Sequence, residues 1–143
     1  EEVLNTVKQA MDNTQAYFLV DTLEYLHRGG RIGKAQAFLG SLLNVKPICM
    51  LKEGIIYPYE KVRGKVKAMD RLVEIIAEKF PPGLPLWCVL AHGDDWEGVE
   101  RLKERLLERV SVKELIVGEI GPVVGTHAGP GLLGIIVYPE IGV

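Results

Sequence analysis

The chain has 143 residues, 48% of them hydrophobic, which suits one domain with a single packed core. Its 17 Lys and Arg against 19 Asp and Glu leave a formal charge of −2 spread along the chain, arguing against charge-driven binding of nucleic acid or anionic membrane. No apolar run approaches the roughly 20 residues that span a bilayer, and the acidic start differs from a signal peptide, so a soluble cytoplasmic protein without stable membrane insertion is expected.

In the first segment, EEVLNTVKQAM, Val3, Leu4, Val7 and Met11 recur at helical spacing with no Ser, Thr, Asp or Asn ahead of them as a cap. A start on Glu1, inside a helix, gives the expectation of a piece cut from a longer protein. AYFLV follows as a short buried strand. In DTLEYLHRGG, Asp21 and Glu24 stand at capping-box spacing before a double glycine, the pattern of a short helix with a glycine stop. KAQAFLGSLLN sets Ala35, Phe38, Leu39, Leu42 and Leu43 on one helical face and predicts a second helix ended by Asn44 and Pro47. PICMLKEGIIYPYEKVR predicts a hairpin turning at Glu53-Gly54.

From Lys65 to Phe80, Val66, Met69, Val73, Ile76 and Phe80 repeat at threes and fours before Pro81-Pro82-Gly83, which predicts an amphipathic helix. LPLWCVLAHGDDWEGVERLKERLLERV then reads as a central strand, a turn with Asp94 as helix cap, and a helix burying Trp96, Val99, Leu102, Leu106 and Val110. VKELIVGEI and GLLGIIVYPE are strands on either side of a GTHAGPG loop. The alternation predicts one α/β (α+β) domain over residues 1–143, a mixed β-sheet with packed helices and at least one antiparallel pair. Cys49 and Cys88 both fall in strand-like apolar runs and read as reduced core thiols.

Three stretches carry candidate chemistry. The loop from Gly125 to Gly131 offers backbone that a ligand can approach closely, the Thr126 hydroxyl and the His127 imidazole, a set suited to a carboxylate or phosphate. The same residues also describe a strand-to-strand turn whose histidine bonds nearby backbone, and spacing alone leaves both open. RGGRIGK groups Arg28, Arg31 and Lys34 around three glycines without the spacing of a Walker loop. It reads either as a helix C-cap with cations favoured by the dipole, worth about 0.3–1 kcal/mol, or as a basic knuckle. Joined by Lys61 and Arg63, such a knuckle would dock an acidic protein surface. His92 in AHGDD reads as part of a capping turn, since no Ser or Cys nucleophile accompanies it at recognisable spacing. The three histidines lie far apart and no CxxC pair occurs, so no metal site is expected.

Together, VDTLEYLHRGGRIGKAQAFLGSLLNVKPI, KVRGKVKAM, AHGDD and GPVVGTHAGPG resemble, in order and over nearly the whole chain, the DegV family of bacterial fatty-acid-binding proteins. The resemblance implies the C-terminal domain of a two-domain protein of the DegV (EDD-type) fold, with the N-terminal domain absent from these residues. It implies a non-enzymatic carrier, without a cofactor, that holds a long-chain fatty acid at the junction with that domain. Gly125, Thr126, His127 and Gly129 match the loop that meets the carboxylate. The resemblance also implies presentation of the acid to a fatty acid kinase docked through Arg28, Arg31 and Arg63. Gly64 departs from the pattern, which often has a hydroxyl residue after that arginine.

Two other readings stand beside it. One is a kinase or transferase substrate domain related to dihydroxyacetone kinase, with His127 in covalent linkage to a small carbonyl substrate, although no nucleotide-binding module or acidic metal ligands are evident. The other is a protein-interaction domain working through the basic knuckle. For a fatty acid, each buried methylene contributes roughly 0.8 kcal/mol and a charge-assisted hydrogen bond about 1.5–3, so the tail provides affinity and the head group orientation. Losing half the pocket wall around ten methylenes would forfeit about 4 kcal/mol, a roughly thousandfold weakening, so these residues alone are expected to bind weakly. Phe38, Leu39, Leu42, Leu43, Ile48 and Met50 are wall candidates, each more simply explained as core packing.

Overall fold

The computed structural model describes residues 1–40 and 44–140. The strands are β1 (Gln15–Leu19), β2 (Val45–Lys52), β3 (Ile55–Arg63), β4 (Leu86–His92), β5 (Val112–Glu119) and β6 (Leu133–Pro139). They form one sheet in the order β3-β2-β1-β6-β4-β5, antiparallel throughout except for β4 and β5. The helices are α1 (Glu2–Asn13), α2 (Glu24–Arg28), α3 (Lys65–Lys79), α4 (Trp96–Arg109) and α5 (Pro122–Ala128), with a 3-10 helix at Gly33–Phe38. The mixed sheet with packed helices agrees with the α/β (α+β) class predicted from the alternation.

The expected hairpin forms between β2 and β3. Glu53 at φ 52° and Gly54 at φ 75° both take the left-handed conformation that matches a tight turn to the twist of its strands. The parallel pair β4 and β5 is joined by α4, because parallel neighbours need a crossover.

Two apolar clusters lie on opposite faces of the sheet. Strand alternation sends Tyr17, Leu19, Leu86, Cys88, Leu90, Leu133, Ile135 and Val137 to one face, under Ala68, Leu72, Ile75 and Ile76 of α3 and Val99, Leu102 and Leu106 of α4. The opposite residues Phe18 and Cys49, paired across β1 and β2, point to a smaller cluster with Leu23, Leu26, Ile32, Ala35, Ala128 and Leu132. Cys49 and Cys88 are both buried and free, and burial pushes their thiols up to about 12 and about 11.

Local differences from the sequence reading have physical causes. The helix expected over KAQAFLGSLLN is the short 3-10 helix, ending at Leu39 in extended backbone with Gly40 at φ 79°. Its three-residue period stacks Ile32, Ala35 and Phe38 on the smaller cluster, while Leu42 and Leu43 fall outside the described residues. The cap of α4 is Asp95, whose Oδ1 accepts the Gly98 amide at 2.9 Å; Asp94 sits one residue earlier at φ 51° and shapes the turn. Trp96, expected in the core, is 56% exposed because it opens α4 at the sheet's rim, its ring 4.1 Å from that of His92. Val66 is likewise exposed, in the first turn of α3. Asp21 and Glu24 make no capping box: the Glu24 amide donates to the Thr22 hydroxyl, and Asp21 turns to lysines instead.

Candidate functional site

The GTHAGPG segment is not the simple loop that its glycines suggested. Residues Pro122–Ala128 form α5, with Pro122 in the first turn and Gly129 just past the end at φ 81°. Gly125 therefore lies inside a helix, its amide donating to Gly121 O at 2.9 Å, and the Gly129 amide donates in turn to Gly125 O at 2.9 Å. Gly129 backs onto the Tyr25 ring of α2 so closely that no side chain would fit there. Thr126 is exposed and its hydroxyl donates to Pro122 O at 2.7 Å.

His127 is half-buried in the last turn of α5. Its Nδ1 is buried against Gly29, with no hydrogen-bond partner among the described residues. A buried acceptor without a partner is tolerated better than a buried orphan N–H, which favours the tautomer with the proton on Nε2, the ring atom left to donate to a ligand.

Behind this helix lies a charged cluster at the same end of the sheet. Lys65, opening α3, places Nζ 3.1 Å from Asp21 Oδ1 and 2.8 Å from Asp95 Oδ2. Burial alone would lower the Lys65 pKa, but hydrogen bonds and charge from Asp95 and Asp21 outweigh it and raise the group. Burial would raise Asp95, and Lys65, the Gly98 amide and neighbouring His92 carry it below the ordinary carboxylate range instead. His92 is fully buried and accepts the Asp95 amide at Nδ1, 3.0 Å away. The chain around α5 is pinned to this cluster: Ile120 N donates to His92 O at 2.8 Å, Gly131 N to Gly93 O at 2.7 Å, and Gly93 N to Leu132 O at 2.9 Å. Gly131 also packs directly on the Asp21 carboxylate.

On the sheet face opposite α3 and α4, the buried cluster among the described residues lies toward one end. Beyond the smaller cluster, Ala16, Ile136, Val89 and Ile116 stand in direct register across β1, β6, β4 and β5. Ile136 is 41% and Ile116 59% exposed. Val123 and Val124 of α5, and Val3, Leu4, Val7 and Met11 of α1, are exposed as well, and α1 contacts β6. This apolar surface is distinct from a cleft of about 540 Å³ that is bordered by Asp21, Leu23, His27, Phe38, Leu39 and Lys46 and not by His127. Of the wall candidates, Phe38 and Leu39 border that cleft, Ile48 lies in the main core and Met50 packs against it.

The basic residues of the knuckle, Arg28, Arg31, Lys34, Lys61 and Arg63, are exposed. Arg28 pairs with Glu24 one turn back in α2, while Arg31 follows the double glycine and Arg63 ends β3. The 3-10 helix packs along β3, with Lys34 5.0 Å from the Tyr57 ring centre and Lys61 5.4 Å from that of Phe38. Gly64, just after Arg63, adopts φ 88°, a conformation that L side chains rarely take. No group of three His, Cys, Asp or Glu among the described residues is arranged to hold a metal ion, and no described helix is long and apolar enough to cross a membrane.

The DegV family model matches residues 1–140. The chain belongs to the DegV family. A DegV domain-containing protein of Streptomyces coelicolor is 46% identical over 138 residues, covering 96% of this chain and 49% of the relative. A protein of Thermotoga maritima named fatty acid-binding protein is 38% identical over 136 residues, covering 94% and 47%. The structure of a DegV protein from Thermus thermophilus, described as fatty acid binding, superimposes with a TM-score of 0.90 at 35% identity, covering 97% of this chain and 50% of that one. The chain thus spans about half the length of the curated relatives it matches. The six-stranded mixed sheet and its helices are the fold of these DegV structures.

Sequence reasoning missed Asp21, Lys65 and Asp95 as a group, because 44 residues separate the first two and 30 the last two. Their one shared signal was position: Asp21 and Asp95 each follow a strand and Lys65 opens a helix.

Proposed function

We propose that this DegV chain is the C-terminal half of a non-enzymatic carrier that holds a long-chain fatty acid against the sheet face opposite α3 and α4, at the junction with an N-terminal domain. The observation that carries the reading is His127: a half-buried imidazole with no hydrogen-bond partner among the described residues, on the helix whose exposed valines add to the apolar surface. The acyl tail lies along the row of Ala16, Ile136, Val89 and Ile116, and Nε2 of His127 donates to the carboxylate. Thr126 joins only by turning its hydroxyl away from Pro122 O, and Gly125 and Gly129 serve by leaving room, since their amides are already used within α5. The relatives named or described as fatty-acid-binding support the same ligand.

Presentation of the acid to a fatty acid kinase would use the exposed Arg31 and Arg63, with Arg28 recruited from its pair with Glu24. In the two-domain protein, His127→Ala is expected to weaken fatty acid retention roughly 10- to 100-fold, the weight of one charge-assisted hydrogen bond. Native mass spectrometry of protein expressed without added lipid measures it, and unchanged retention would remove the assigned role. Arg31→Glu, read in the same preparation, should leave retention intact and slow acyl transfer by the kinase.

A further inference from the structure

We infer that Gly29, the first glycine of the double-glycine turn after α2, is a positioning residue that sets where the His127 imidazole stands. The inference rests on the ligand role proposed for His127. A glycine there is not demanded by the backbone: Gly29 sits at φ −80°, ψ −1°, ordinary right-handed helical geometry that alanine adopts more readily. What excludes a side chain is the histidine. A β-carbon on Gly29 would stand 2.5 Å from Nδ1 and 3.2 Å from Cε1 of His127, while the third of its three nearest atoms, Tyr25 O at 3.2 Å, belongs to its own helical turn. Nδ1 is also the buried ring atom without a partner, so the bare Cα of Gly29 is the surface on which the ring rests.

The neighbouring Gly30 presents the opposite case. It takes φ 66°, which favours glycine, yet a β-carbon added there meets nothing within 4 Å. One glycine of the pair is thus required by its own backbone and the other by a side chain 98 positions away in sequence. A methyl at Gly29 forces something to shift at 2.5 Å, and the imidazole is the neighbour whose side-chain torsions can give. That rotation is what carries Nε2 away from the carboxylate.

The test compares Gly29→Ala, Gly30→Ala, His127→Ala and the double variant Gly29→Ala/His127→Ala in the two-domain protein. Its readouts are the His127 ring resonance in NMR, thermal unfolding, and affinity for palmitate as the probe. Gly29→Ala should leave the protein folded with a small change in melting temperature, shift the His127 resonance and weaken palmitate binding by roughly 10- to 100-fold, as losing one charge-assisted hydrogen bond does. Gly30→Ala should lower the melting temperature and leave resonance and affinity alone. In the His127→Ala background the Gly29→Ala change should cost no further affinity and should be more favourable to stability than in the parent, because the clash is gone. An unmoved His127 resonance in Gly29→Ala, or losses that simply add in the double variant, would overturn the inference. If His127→Ala leaves palmitate affinity intact while Gly29→Ala still shifts the ring, the ligand role of His127 falls and the positioning by Gly29 stands.

Discussion

Replacing Lys65 by Met probes the charged cluster that anchors the chain around His127. The substitution removes the one ammonium between Asp21 and Asp95 and leaves two carboxylates facing a partly buried gap. Breaking a fully buried ion pair costs about 3–5 kcal/mol, but these side chains keep 29% (Lys65), 39% (Asp21) and 19% (Asp95) of their exposure, and water screens them. A discounted cost of about 1–3 kcal/mol at neutral pH is expected. In urea unfolding that is a midpoint lowered by roughly 1 M, and a change below about 0.2 M would refute the cluster's weight.

The pH dependence has a definite sign. Asp95 titrates below the ordinary carboxylate value when folded, so its contribution is present above that ordinary value and is lost as pH falls through the depressed one. Lys65 titrates above the ordinary lysine value when folded, so its contribution is present below that ordinary value and is lost as pH rises through the raised one. The penalty of Lys65→Met should therefore be largest between these limits and shrink in acid, where Asp95 protonates. A penalty constant down to strongly acidic pH would contradict the electrostatic account. The triple change Asp21→Asn/Lys65→Met/Asp95→Asn should recover part of the loss, because the two carboxylates no longer face each other unpaired, while Lys46 loses the Asp21 charge 4.0 Å away and keeps only its bond to Asp21 O.

Ile136→Lys should alter thermal stability by no more than about 0.5 kcal/mol, as for most exposed positions, yet strip fatty acid from the two-domain protein by placing a charge in the path of the tail. Lipid extraction after purification decides it, and full retention would move the tail off this row. Gly64→Ala should cost about 1–3 kcal/mol in thermal unfolding through backbone strain alone, since φ is 88° and open space surrounds the added carbon. A neutral result would mean that the turn after β3 relaxes freely.

The elements whose signal is local were legible in the sequence. The β2–β3 hairpin follows from Glu53-Gly54, where a glycine meets the φ requirement within two residues. The helix at Lys65–Lys79 follows from an apolar period that persists over four turns and stops at two prolines. The loop around His127 was marked as a candidate by its composition, but its form was misjudged. Gly125 weakened the helical signal that Pro122 and Gly129 supply from the two ends, and packing of α5 on α2 outweighs the low propensity of one glycine. The same limit explains Trp96: apolar spacing places it on the helix face but cannot tell that the helix begins at the sheet's rim.

By itself the sequence determined the class of fold and the order of most elements, and it nominated residues whose chemistry suits an acid head group, because propensity, periodicity and turn geometry act over a few residues. The tertiary structure alone decided which distant groups meet. It set Lys65 between Asp21 and Asp95, laid His127 on Gly29, and left Ile136 and Ile116 of one row exposed. Those contacts depend on strand order and on which face each helix covers. Both are settled by burial summed over the whole chain, and no window of neighbouring residues contains that sum.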